Sequence, residues 1–282
     1  MKFSEIFGNA KFIAPGDGGC SAPYMLCDLP ENDDELKSME ITVTGLGLFE
    51  LYVNGIKVSE DVFTPACSDY HERDFTGHYG DFRRGTYRIY AVKYNLVPYL
   101  KKGKNRLAVL LGKGWYCING NHDEGVPVYG GIKMCCCINT VYGDGRNIVL
   151  NSDKGFKWCK SHIIENDLFY GETQDLTAFD ENILLPEYDI SAFENAVETQ
   201  TPESNYFIQE KVFDRVVRTI RPVLIKDFGD YKIYDNGENI SGYVRVKCDK
   251  YGEQVKLVHT EEIDENGNLD GTSFHIDRKS VV

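Results

Sequence analysis

One stretch limits the fold more than any other: Ile41 to Val58, ITVTGLGLFELYVNGIKV. Side chains on a strand alternate between faces. Phe49, Leu51 and Val53 are therefore expected to face a core, with Leu48, Glu50 and Tyr52 on the other side. Asn54-Gly55 supplies two residues that tolerate positive φ, as a type I′ turn needs, and Ile56 and Val58 are expected to return antiparallel. Gly45 and Gly47 remove side chains where a strand bends or another backbone approaches. The stretch predicts a β-sandwich.

The rest of the chain repeats that pattern. Thr86 to Tyr94, Arg106 to Gly112, Ile132 to Tyr142, Asn147 to Asn151 and Phe156 to Ile164 read as strands separated by Gly, Asn and Asp turns. Arg106 to Gly112 is apolar beyond its first residue, as in a strand covered on both faces. Lys11 to Leu29 reads as an entry strand interrupted by Pro15-Gly16-Asp17-Gly18-Gly19. No segment sustains a helical period, and Ser191 to Glu198 is at most a short helix. The fold class is therefore all-β: a jelly-roll or galactose-binding-like β-sandwich over residues 1–215, then the truncated start of a second β-sandwich over 216–276. In that second unit Lys232 to Tyr234, Gly242 to Lys247 and Gln254 to His259 are expected strands, with Asp249-Lys250-Tyr251-Gly252 as a turn. It is short for an independent core. Residues 277–282, Asp277 to Val282, are expected to be a non-native tail, with the natural gene continuing beyond them.

Charge and cysteine usage exclude several classes. A net charge of −13 argues against nucleic acid and against an anionic membrane surface, since both require clustered Lys and Arg. The opening MKFSEIFGNAKF is too polar for a signal peptide or a membrane span, so a cytoplasmic location is expected. The nine cysteines include no Cys-x-x-Cys pair, and Cys135, Cys136 and Cys137 are consecutive, so on a strand they cannot converge on one metal. Reduced, mostly buried thiols are expected. Gly16-Asp17-Gly18-Gly19 carries no lysine and precedes no helix, which rules out a phosphate loop.

The motifs, taken as a set, resemble a family. Gly45-Leu46-Gly47, Glu50 to Gly55, Thr64-Pro65, Asp69-Tyr70 and Leu100 to Asn105 are similar to the opening of the N-terminal sandwich of bacterial α-L-rhamnosidases, glycoside hydrolase family 78. Leu111-Gly112-Lys113-Gly114-Trp115-Tyr116, Tyr170 to Asp175, Tyr234 to Gly242 and Val258 to Gly267 extend the resemblance in the right order over residues 10–270. It implies a parent that hydrolyses terminal α-L-rhamnose with inversion, by two carboxyls roughly 6.5–9.5 Å apart in a C-terminal (α/α)6 barrel. Nothing in this sequence corresponds to that barrel. Glu261 and Glu262 are neighbours rather than an opposed pair, and no residue is carried over as catalytic. The expected partners are the missing catalytic domain and a rhamnose-containing glycan.

Trp115 and Tyr116, followed by Asn119, Asn121 and Asp123, are the best candidates for carbohydrate contact. An indole or phenol face stacks on the apolar face of a sugar, while amides and carboxylates pair with its hydroxyls. The same loop oxygens suit Ca²⁺, and the resemblance adds that related sandwiches in certain rhamnosidases bind rhamnose with calcium; no other cofactor is implied. The competing reading makes Trp115 a core residue. Glu172 with Asp175 reads either as a paired set of carboxylates or as a turn cap. His122 beside Asp123 and His259 near Glu261 lack the companion ligands of a metal site.

Overall fold

The chain changes sheet at Gly47. Leu36–Leu46 lies in one sheet and Leu48–Val53 in the other, so this glycine is the corner between them. Its φ is +108°, and a Cβ built there would lie 2.1 Å from the carbonyl oxygen of Gly112 and 2.5 Å from that of Lys113. Only a residue without a side chain fits. The computed structural model describes the chain apart from residues 17–20, 75–82, 85–86, 118–128, 169, 178, 211–212, 248–253, 270–278 and 282.

Among the described residues the first sheet runs Val197–Thr199, Phe12–Ala14, Lys133–Tyr142, Leu36–Leu46, Arg88–Asn95 and Asn205–Ile208, with Asn147–Asn151 also paired to Lys133–Tyr142. The second runs Glu194–Asn195, Lys157–Lys160, Pro23–Asp28, Arg106–Gly112, Leu48–Val53 and Ile56–Lys57. Phe49, Leu51 and Val53 are buried as expected, and each such side chain contributes about 1.5–3 kcal/mol. Asn54 and Gly55 take φ of +52° and +77° at the turn. Asn54 has a second role. Its amide donates to Asn105 Oδ1 at 2.7 Å and to the Tyr99 carbonyl at 3.1 Å, and its own Oδ1 accepts from the Arg106 N–H.

An antiparallel sandwich commonly leaves its outer faces wet. Here both are covered. Between the sheets lie Ile41, Val43, Phe49, Leu51, Val109 and Cys136, among others. Outside the first sheet, Phe7 of the short helix Phe3–Phe7 and Tyr206 cover Phe12, Cys135 and Cys137. Outside the second, Ile183, Leu184 and Ile190 cover Tyr24, Leu26, Ala108 and Leu110. The three consecutive cysteines thus divide between two layers by strand alternation. Burial pushes the Cys135 thiol up to about 12 and raises those of Cys27 and Cys136, which keeps them protonated and inert.

Several expectations change. Lys11 to Leu29 is two strands in different sheets, Phe12–Ala14 and Pro23–Asp28. Ser191 to Glu198 is not helical; Glu194–Asn195 and Val197–Thr199 are short edge strands that hydrogen-bond across to the two sheets. Phe156 to Ile164 splits into Lys157–Lys160 and Ile163–Asp167. In the segment expected to begin a second sandwich, Val223–Asp227 pairs with Lys232–Asp235 and Lys256–Val258 with Lys279–Val281, whereas 242–247 forms no strand. The turn at 249–252 lies outside the described residues. No described helix is long and apolar enough to cross a membrane.

The chain leaves the sandwich on a clasp. Asp214–Arg215 pairs with Asp61–Val62, and Arg215 Nε donates to the buried Asp61 carboxylate at 2.5 Å. Beyond it the side chains open to solvent: Val217 is 92% exposed and Val223 66%, and Leu224, Tyr234 and Tyr243 are exposed too. The hairpin Val223–Asp227/Lys232–Asp235 buries Ile233 alone among its apolar side chains, while Lys256–Val258 and Lys279–Val281 join Gly171–Gln174 and Ile163–Asp167 in a separate four-stranded sheet.

Candidate functional site

The turn that carries Trp115 is built on the Gly47 corner. As Arg106–Gly112 leaves its sheet, the carbonyls of Gly112 and Lys113 settle over Gly47, and Gly114 turns at φ +47°. A Cβ on Gly114 would meet the Gly47 carbonyl carbon at 2.9 Å. Two glycine-bearing motifs far apart in sequence therefore touch backbone to backbone, each requiring the other to lack a side chain. Asn166 fixes the turn from outside: its Oδ1 accepts from the Lys113 N–H at 2.9 Å, and its Nδ2 donates to the Ser21 carbonyl at 2.7 Å.

Trp115 projects from this turn 39% exposed. Tyr116 goes the other way and is buried, with its ring stacked on Tyr129 at 5.8 Å and met edge-on by Tyr70 at 5.0 Å. The Tyr129 N–H donates to the Tyr116 carbonyl, and the Tyr129 hydroxyl donates to Asp69 Oδ1 at 3.1 Å. His71 adds a ring 4.8 Å from Tyr129. Burial pushes the Tyr116 phenol up to about 12, so it stays neutral. With its ring enclosed in this cluster, Tyr116 packs inward. Asn119, Asn121 and Asp123, the oxygen donors proposed for a sugar or Ca²⁺, lie outside the described residues. Among the described residues no group of three or more His, Cys, Asp or Glu is arranged to hold a metal.

Glu172 sits half-buried on Gly171–Gln174 and accepts a hydrogen bond from the Gln174 amide. Its backbone register pairs it with Asn166, the residue that holds Lys113, so the structure brings the Glu172 strand beside the Trp115 turn. Asn166 is missed by sequence reading, because a single Asn in IIENDLFYGET carries no periodic signal. Arg106 is the other omission; the one charged residue opening an apolar run was its only trace.

Glu172 also faces His162. Burial lowers the His162 imidazole below its usual range, outweighing the opposing pull of Glu172, Glu181 and Glu50. The sign follows from linkage. The unfolded chain takes up a proton that the folded imidazole refuses, so this contribution is complete above about pH 6.5 and is lost as pH falls toward the lowered folded value. Thermal melts below pH 6.5 are expected to fall less steeply in His162→Gln than in the parent chain.

Corner and turn define a two-sheet β-sandwich module with both outer faces covered. A family model described as "Alpha-L-rhamnosidase N-terminal domain" matches residues 34–218, and the chain belongs to that family. An α-L-rhamnosidase of Formosa agariphila is 26% identical over 240 residues, 83% of this chain and 24% of that protein. One from Streptomyces avermitilis is 26% identical over 250 residues, covering 85% of this chain and 22% of its own length. The chain thus spans about a quarter of these curated relatives. Among solved structures, an α-L-rhamnosidase from Aspergillus terreus superposes with TM-score 0.83 at 22% identity, covering 100% of this chain and 32% of that one. The enzyme from Dictyoglumus thermophilum gives 0.80 at 24%, covering 96% and 31%. The Streptomyces avermitilis enzyme complexed with L-rhamnose gives 0.76 at 20%, covering 93% and 24%. At these identities the likeness is one of fold.

Proposed function

We propose that this chain is the non-catalytic N-terminal portion of an α-L-rhamnosidase whose parent cleaves terminal α-L-rhamnose with inversion. The observation that carries the reading is the pairing of a family match over residues 34–218 with a span of only about a quarter of the relatives. Residues 1–215 form one complete sandwich. Residues 216–276 begin a second, in which Val223–Asp227 pairs with Lys232–Asp235. The first sandwich braces the missing catalytic domain and presents a glycan through Trp115, with Asn119, Asn121 and Asp123 supplying polar contacts and Glu172 standing on the neighbouring strand. The partly exposed indole supports that role, since it stands beside a turn packed backbone to backbone on Gly47.

Titration with L-rhamnose, with and without Ca²⁺, and followed by tryptophan fluorescence, tests the binding role. Trp115→Ala is expected to weaken binding at least about tenfold, or ~1.4 kcal/mol, while the melting temperature holds. Silence at millimolar sugar in both conditions would leave only the bracing role. Hydrolysis of p-nitrophenyl α-L-rhamnoside by the purified chain would overturn the non-catalytic assignment.

A further inference from the structure

Asn147–Asn151 is an open edge. Among the described residues it pairs only with Lys133–Tyr142, and nothing is bonded to its other side. The direction of its free groups follows from its ends. The Arg146 carbonyl accepts from Tyr142 N–H, and Ser152 N–H donates to the Cys136 carbonyl. Even-numbered residues therefore point their backbone groups into the ladder, and by alternation Asn147, Val149 and Asn151 point theirs outward. Beside the edge lies a groove of about 890 Å³ whose lining includes Ile148 to Asn151 and Pro186 to Ser191.

Proteins usually blunt such edges with charge or proline. The edge strands Ile56–Lys57, Glu194–Asn195 and Val197–Thr199 each carry a charged residue, and on Asn205–Ile208 the Arg88 guanidinium sits 5.4 Å from the Phe207 ring centre. Asn147–Asn151 has no charge and no proline, Val149 is 51% exposed and Ile148 38%. Its sequence, Asn-Ile-Val-Leu-Asn, reads the same in chemical character from either end.

We propose that this edge is a self-complementary pairing strand through which two copies of the chain associate about a two-fold axis centred on Val149. Antiparallel pairing in that register sets Val149 against its own copy, Ile148 against Leu150 and Asn147 against Asn151. The outward groups of the three odd-numbered residues then exchange hydrogen bonds in pairs. Past the strand, Asp144 lies in the hairpin turn and is held by Arg146 of its own chain, so the pairing rests on the backbone groups and apolar side chains of Asn147–Asn151. Each copy carries −13, so the bodies repel, and added salt strengthens the pairing rather than weakening it.

Light scattering on the full chain at high micromolar concentration tests this. The expected mass is twice that of one chain, with a dimer fraction that rises with salt. Val149→Lys places like charges on the axis, and Val149→Pro removes an N–H the intrachain ladder does not use; both are expected to be monomeric, with circular dichroism matching the parent. On the unaltered chain, hydrogen exchange at Asn147, Val149 and Asn151 is expected to slow as concentration rises. A parent chain that stays monomeric in high salt overturns the proposal. So does a dimer that survives both substitutions, which would be held by another surface such as the open strands near Val223, and so does exchange at these three amides that ignores concentration.

Discussion

Gly47→Ala is expected to destabilise the chain by ~3 kcal/mol or more and to lower its melting temperature by about 10 °C. The added Cβ has no room, since it would lie 2.1 Å from the Gly112 carbonyl oxygen, and the atoms it meets are backbone rather than a side chain that can swing away. The positive φ adds a further cost of about 1–2 kcal/mol. Gly103→Ala is the matched control. That glycine also has positive φ, +84°, but a Cβ there meets nothing within 4 Å, so only the conformational cost of about 1 kcal/mol remains. Denaturant melts of the two variants separate close approach from backbone preference. Equal losses would mean that the corner yields and that the glycine contact does not position the Trp115 turn. Because that turn rests on Gly47, the Gly47 variant is also expected to change the Trp115 fluorescence of the folded chain, and the Gly103 variant is not.

Arg106→Met is expected to cost about 3–5 kcal/mol. The guanidinium is buried at 2% exposure, and one of its nitrogens donates to the carbonyls of Ile183 at 3.3 Å, Leu185 at 2.9 Å and Tyr188 at 2.8 Å. It thereby ties the segment that covers the outer face of the second sheet. Its ion pair with Asp28, at 2.8 Å, is the lesser part, because the Asp28 side chain is 61% exposed and water screens it. Asp28→Asn is therefore expected to cost under about 1 kcal/mol. Removing the guanidinium leaves three carbonyls short of a donor, each worth about 1–3 kcal/mol if it stays dry. If the two substitutions cost the same, the carbonyl contacts carry nothing and the ion pair is the whole effect. Arg106→Lys tests geometry, since an ammonium is a point donor and cannot replace a planar fork.

Much of the fold was legible along the chain because it rests on local chemistry. The alternation of Phe49, Leu51 and Val53, the Asn54-Gly55 turn and the doubly covered strand Arg106–Gly112 all depend on neighbours within a few residues. The division of Cys135, Cys136 and Cys137 between two layers has the same origin. The errors lie where a partner distant in sequence decides. Glu194–Asn195 and Val197–Thr199 become strands only because edges of the two sheets stand open beside them. Residues 242–247 have strand composition but, among the described residues, no strand to pair with.

The candidate site divides in the same way. The chain's own order marked Trp115 as a tryptophan at a strand end followed by a polar loop, and the motif set marked the family. That Tyr116 turns inward, and that Tyr129 and Tyr70 enclose it, depends on residues that meet only after folding. What the sequence by itself determined is the all-β class, the register of the organising hairpin and the glycine positions, because strand period and backbone freedom are properties of adjacent residues. What tertiary structure alone decided is why those glycines are required and what Arg106 and Asn166 hold. Close approach and hydrogen bonding act across space, between carbonyls and side chains that the linear order keeps dozens of residues apart.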